Sequence, residues 1–173
     1  MNGQPVTRYS VDPARDLRLL EAEFLLSDLA IVEGREERLV KQIAAKKSEP
    51  DVREIDALRK CRAILESETP LRRAGLNPAE EKLVRGFRLL TLKPLVVVAN
   101  LGEEDIGREA EALDPLATWM ELERTAVIGL SARLEMEIRQ FPEDEAKTLL
   151  AGFGLADTAL NRLIATSFRI LRL

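Results

Sequence analysis

The chain has 173 residues, 46% hydrophobic and 32% charged, enough to bury a core in one domain or two small ones. Its net charge of −4 and pI near 5.2 argue against a whole-surface nucleic-acid binder, so no direct DNA binding is expected. Histidine is absent, which excludes serine-histidine and cysteine-histidine dyads and the common zinc sites, and the single cysteine, Cys61, excludes an intramolecular disulfide framework.

The amino terminus is polar, carries Pro5 and shows no signal peptide, and no apolar run is long enough to span a bilayer. A soluble, cytoplasmic protein with no membrane partner is expected, and one cysteine fits a reducing compartment. Residues 1–10 read as a tail of uncertain relation to the rest. Asp12-Pro13 then opens a helix, Asp as its cap and Pro in its first turn. Leu17, Leu20 and Phe24 form one apolar row. Leu25, Leu29, Val32, Leu39 and Ile43 form another at coiled-coil spacing. The polar stretch from Lys46 to Asp51 breaks the pattern, and Ile55, Leu58, Cys61 and Leu65 resume it with Asp51 as the expected cap. A long antiparallel helical (coiled-coil) hairpin over 11–76 follows, with Cys61 as a small core residue in it. The seam is thin, so its base should pack against the rest of the chain.

Thr69 to Gly75 reads as a loop. Asn77-Pro78-Ala79-Glu80 is a capping-box start for a helix expected to run through Leu83, Val84, Phe87 and Leu90 and to end before Pro94. Leu95 to Ala99 is short, continuous and β-branched, as in a parallel strand covered on both faces. Helical pieces over 104–113 and 116–122, parted by Asp114-Pro115, lead to a second strand, Ala126 to Leu130. Helices are expected from Pro142 to Ala151 and from Asp157 to Leu171, with Gly152 and Gly154 as stop signals between them. The acidic runs Glu103-Glu104-Asp105 and Glu143-Asp144-Glu145 read as solvated helix starts rather than metal sites. The fold class is mainly α with a small parallel α/β part, divided as 1–10, 11–76 and 77–173. With two strands only, the sheet edges must be covered by helices or paired in a homo-oligomer.

The chemistry lies at the carboxyl ends of the two strands, where open α/β sheets place ligands. Asn100 carries an amide that donates and accepts, and Glu103, three residues on, carries two acceptor oxygens. The spacing resembles the Asn-Lys-x-Asp base-specificity motif of GTP-binding proteins, with Leu101 for the Lys and Glu103 for the Asp. An acidic turn after an apolar strand is also an ordinary strand exit. The second strand is followed at once by Ser131-Ala132, the order in which GTPase-like folds present their two base loops.

Together, Val11-Asp12-Pro13-Ala14-Arg15-Asp16-Leu17, Leu89-Leu90-Thr91-Leu92-Lys93-Pro94, Asn100-Leu101-Gly102-Glu103, Ser131-Ala132 and Gly152-Phe153-Gly154-Leu155 with Leu160-Asn161-Arg162-Leu163-Ile164 resemble the YchF or Obg-like ATPase family. The resemblance runs from Val11 to Leu173. It implies a P-loop NTPase fold with a helical insertion and a carboxyl-terminal TGS domain, binding ATP (or GTP) with Mg2+ and associated with the ribosome. By that resemblance Asn100 holds the base pocket, Leu101 contacts adenine, Glu103 marks altered specificity, and Ser131 and Ala132 supply the second base loop. A carboxylate one methylene longer than Asp leaves the bidentate geometry that suits guanine, so adenine is no longer disfavoured.

The departures are as informative. No Gly-Lys dipeptide occurs, so the phosphate loop G-x-x-x-x-G-K-[ST] is missing, and no Asp has Gly three residues later, so the magnesium-sensing turn is missing too. The histidine expected of the family in hydrolysis is also missing. The chain reads as a partial nucleotide-binding protein, itself not hydrolytic and with no catalytic residue to name. The alternative is a non-catalytic module whose helical hairpin docks the ribosome or another protein.

Overall fold

The computed structural model describes residues 11–45 and 49–173. The 1–10 tail and the 46–48 part of the polar break lie outside the described residues. Among those described, the protein is mainly helical around one two-stranded parallel sheet.

Helix α1 spans Pro13–Ala45, 33 residues, or roughly 50 Å of axial rise. Asp12 caps it as expected, its Oδ1 accepting from the Arg15 amide at 2.9 Å. Helix α2, Glu49–Glu66, begins two residues before the Asp51 expected to cap it. The two helices pack with Val32 and Leu39 against Ile55, Leu58, Cys61 and Leu65, flanked by Leu25, Leu29 and Ile43. Arg35 meets Glu54 at 2.7 Å, whereas Glu21, lower on α1, meets Arg72 beyond the end of α2, so the chain directions oppose each other.

The buried stripe of α1 differs from the expected one. Leu20 is 46% exposed, and the stripe passes instead through Ala14, Leu17, Glu21, Asp28 and Val32. Of the three buried carboxylates of α1, Glu36 pairs with Arg59 and Arg62 of α2, while Glu21 and Asp28 take places the hydrophobic pattern would give to leucines, because each has a set of donors waiting for it. Asp28, with no exposed surface, accepts from the Leu90 amide at 2.8 Å, the Thr91 amide at 2.7 Å and the Thr91 hydroxyl at 2.6 Å. Glu21 accepts from Arg72 and Arg73 through one oxygen and from Trp119 Nε1 at 2.8 Å through the other. Burial lowers the pKa of the Arg72 guanidinium from its ordinary value, and Glu21 opposes that shift.

Asp28 also explains why the next helix is short. The capping box at Asn77 and Glu80 forms as expected, but α3 covers only Pro78–Val84. It tightens into a 3-10 turn over Arg85–Phe87 and stops at Arg88, which is left-handed with φ 55°. Gly86 weakens the helix there, and the Leu90 and Thr91 amides that a longer helix would use are bonded to Asp28 instead. The Thr69 to Gly75 segment is likewise more ordered than a loop: a 3-10 turn, Leu71–Arg73, buries Leu71 and Arg72.

Strands β1, Leu95–Asn100, and β2, Thr125–Leu130, pair in parallel with Leu95 beside Thr125 and Asn100 beside Leu130. One face, Leu95, Val97 and Ala99, packs with Leu101 and Val127 against Ala14 and Leu17 of α1 and Leu113, Leu116 and Trp119. Burial on both faces, expected from the β-branched run, is not observed. Val98 is 43% exposed, since two strands leave part of the second face without a partner layer among the described residues. The crossover from β1 to β2 is also more broken than expected. A 3-10 turn over Glu103–Asp105, helix α4 (Glu109–Ala112), a second 3-10 turn over Asp114–Leu116 and helix α5 (Ala117–Met120) replace two longer helical pieces.

Helices α6 (Ala132–Ile138), α7 (Glu143–Gly152) and α8 (Ala159–Leu171) complete the chain. The acids Glu143, Asp144 and Glu145 do open α7, and Gly154 at φ 73° closes it, with the Leu155 amide reaching back to the Leu150 carbonyl at 2.9 Å.

Candidate functional site

The parallel register brings the ends of β1 and β2 level, and that alone sets two loops side by side. The Leu101 amide extends the ladder by one bond, donating to the Leu130 carbonyl at 2.7 Å. One step later the Asn100 side chain crosses to the other loop, its Oδ1 accepting from the Ala132 amide at 3.0 Å. Asn100 therefore ties the two loops together and keeps its amide donors for something else. Ser131, buried, caps α6 through its hydroxyl, which accepts from the Leu134 amide.

These loops border an open cavity of about 290 Å³ lined by Asn100, Leu101, Gly102, Glu103, Glu104, Ser131 and Arg133. Of the five residues singled out in the sequence, four line it, and the fifth, Ala132, supplies the amide that Asn100 holds. Leu101 is half turned away. It packs with the sheet core, and its Cδ1 would stand 2.7 Å from a Cβ placed at Gly129. Glycine at 129 is thus what lets Leu101 lie flat across β2 beneath the cavity.

Two residues to which the sequence assigned no role at the site also shape it. Arg133 reaches Glu103, Nε to Oε1, at 2.8 Å across the cavity rim. Arg162 of α8 donates to Glu109 at 2.8 Å and to the Gly129 carbonyl at 3.1 Å, fixing α8 and α4 to the end of β2. Neither is visible as a pattern, because each depends on a contact 30 or more positions away in the chain. Beneath the loops, Leu134, Ile138 and Leu150 form a small core with Ile106, Ala146 and Leu155 that supports α6.

The donor set suits a heterocyclic base better than a metal. Glu103 is already engaged by a guanidinium, and among the described residues no group of three or more His, Cys, Asp or Glu stands close enough to hold an ion. Mg2+ does not fit the donors that the described residues present here. No described helix is long and apolar enough to cross a membrane.

No protein-family model matches the chain. It is 32% identical over 165 residues to the ribosome-binding ATPase YchF of Bacillus subtilis, covering 94% of this chain and 45% of that protein. It is 27% identical over 166 residues to Obg-like ATPase 1 of Caenorhabditis elegans, covering 94% of this chain and 42% of that protein. A solved structure of the Schizosaccharomyces pombe YchF GTPase superposes with a TM-score of 0.82 at 25% identity, over 95% of this chain and 46% of that one. The chain spans less than half the length of these relatives.

Proposed function

We propose that this chain, homologous to the YchF and Obg-like ATPases over nearly all of its length, is the base-reading and helical part of an adenine-nucleotide-binding protein. The observation that carries this reading is the Asn100 bridge to Ala132, which joins the two loops around one cavity at the carboxyl ends of parallel strands. The base lies in that cavity against Leu101, with Asn100 and Glu103 toward its polar edge and the Ser131 and Ala132 loop closing it.

Phosphoryl transfer is mostly positioning and charge neutralisation by a phosphate loop and magnesium. This sequence has no Gly-Lys dipeptide to build such a loop, so the chain alone binds ATP or GTP weakly and does not hydrolyse them. Its cellular place is the cytoplasm and its partner the ribosome, which its Bacillus subtilis relative is named for binding. Calorimetry with ATP and with GTP, with and without Mg2+, tests the reading. Weak binding that does not depend on Mg2+ supports it. Micromolar, Mg2+-dependent binding or turnover of ATP refutes the non-hydrolytic part, and no binding to a folded sample refutes the base site.

A second reading is favoured by the outer face of α1, where Leu19 and Leu26, seven residues apart and opposite the buried stripe, are 60% and 62% exposed. On that reading the coiled-coil-like helix pair docks the ribosome or another protein and the nucleotide site is secondary. Cosedimentation with ribosomes, lost on Leu26→Glu while nucleotide binding persists, distinguishes it.

A further inference from the structure

A different cavity lies at the amino ends of the strands. Pro94 and Arg124, the residues before β1 and β2, border it, so about 17 Å of strand separates it from the base cavity. It is open, with a volume of about 460 Å³, and Leu71, Leu76, Ile170 and Leu171 give it an apolar wall. Its charged lining is Arg72, Arg124 and Arg172 with Glu81 and Glu123.

Positive charge exceeds negative charge around it. Glu81 is already engaged by Arg124 at 3.1 Å, and Glu123 is exposed to water. Glu21 offers one oxygen to two guanidiniums, Arg72 and, at 3.4 Å, Arg73, while its other oxygen holds Trp119. The Arg72 side chain is 1% exposed, and its Nε, like that of Arg73, is buried with no acceptor among the described residues. Burial lowers the Arg72 pKa most; Glu21 opposes that shift, and the nearby Arg73 and Arg124 charges add to it. A chain with a net charge of −4 thus gathers guanidiniums at one place beyond what its own carboxylates there satisfy. A buried cation without a full partner is costly, and an anion entering the cavity offsets that cost. An arginine fork suits a carboxylate or phosphate group, and the apolar wall suits a short hydrocarbon body behind it. We infer that this cavity binds a small organic anion, its carboxylate or phosphate head among Arg72, Arg124 and Arg172 and its apolar body against Leu71, Leu76 and Ile170. The site is independent of the base cavity and of the reading proposed for it.

The test is an amide-detected NMR titration of the full chain with hexanoate, hexyl phosphate and, as the uncharged control, hexanamide. One or both anions should bind and shift the amides of Gly75 and Arg124, which line this cavity, and leave that of Gly102 in the base cavity in place. Whichever anion binds more tightly identifies the head group. Arg124→Gln weakens binding about fivefold to tenfold, the effect of losing one charge-assisted hydrogen bond, and Arg172→Gln, at an exposed position, about twofold. Glu81→Gln frees Arg124 from its partner and tightens binding, an opposite change that loss of structure would not produce. Thermal unfolding confirms that each variant is folded; Arg72 is left intact because its pairing with Glu21 is structural. A folded wild-type chain that takes up neither anion overturns the inference. So does hexanamide binding as tightly as the anions, or anion binding that neither Arg124→Gln nor Arg172→Gln weakens.

Discussion

Removing the Asp28 carboxylate should cost more stability than any surface ion pair of this chain. Its three bonds are not equivalent. The Thr91 amide is buried, whereas the Leu90 amide is only partly so and can recover a bond from water. Asp28→Ala therefore leaves one fully buried N–H without an acceptor, at about 2 kcal/mol, and removes a hydroxyl bond worth about 1 kcal/mol. The sum, about 3 kcal/mol, is a large share of the ~5–15 kcal/mol that holds a domain together. With a urea slope of about 2 kcal/mol per molar, the midpoint falls by about 1.5 M. Trp119, the single tryptophan, packs in the cluster containing Ala14 and Leu17 of α1, so its fluorescence reports the transition. Thr91→Val, which removes only the hydroxyl bond, lowers the midpoint by about 0.5 M, and the double variant loses about 1 kcal/mol less than the sum of the two singles. A fall of under about 0.5 M for Asp28→Ala would show that water replaces the carboxylate, and the argument for a polar anchor between α1 and β1 would fail.

Other outcomes follow from the same geometry. Glu21→Gln keeps the shape but leaves Arg72 as a buried, unpaired charge, and should destabilise by about 3 kcal/mol in the same urea assay. Burial, with the Glu80 charge second, pushes the Cys61 thiol up to about 11 from 9.0. Because the folded pKa is the raised one, the stabilising contribution is complete below pH 9, declines between 9 and about 11, and is lost above; a thiol reagent at pH 8 should modify Cys61 only in denaturant. Gly129→Ala sets a methyl 2.7 Å from Leu101 Cδ1, so the leucine must swing. It should cost only about 1 kcal/mol of stability yet weaken AMP binding in a titration, because Leu101 lines the cavity.

What could be read in the sequence was what repeats or what is local. The seam of Leu25, Leu29, Val32 and Leu39 with Ile55, Leu58, Cys61 and Leu65 follows from spacing alone. So do the Asp12 cap, the capping box at Asn77 and the two strands, each set by residues within a few positions of each other. Asn100 and the Ser131-Ala132 loop were legible as candidates because a parallel strand pair brings its carboxyl ends to one place. Asp28 and Glu21 were not, since a carboxylate in a helix is by default a surface residue and its donors here lie 51 to 98 positions away. The early end of α3 was hidden for the same reason: the competitor for the Leu90 and Thr91 amides is on another helix. Arg133 at 133 looked like one more charged position on a short helix until Glu103 appeared opposite it.

The buried carboxylates also do what the leucines cannot. A seam of branched apolar residues at spacings of three, four and seven accepts more than one register, because a helix shifted by one heptad again meets leucine with leucine. Asp28 accepts only one. Its two oxygens meet two consecutive amides and a hydroxyl at 2.6 to 2.8 Å, and a shift of even one turn, about 5.4 Å, breaks all three bonds at once and leaves a charge in the core. Glu21 repeats the constraint seven residues earlier with a different set of donors, on the 71–73 turn and on α5. The two anchors hold one face of α1 to both ends of the segment that contains β1, from Thr91 before it to Trp119 after it. Asn100 and the loop at Glu103 lie between those points, so the position of the cavity they line relative to the long helices is fixed by polar bonds rather than by the hydrophobic seam.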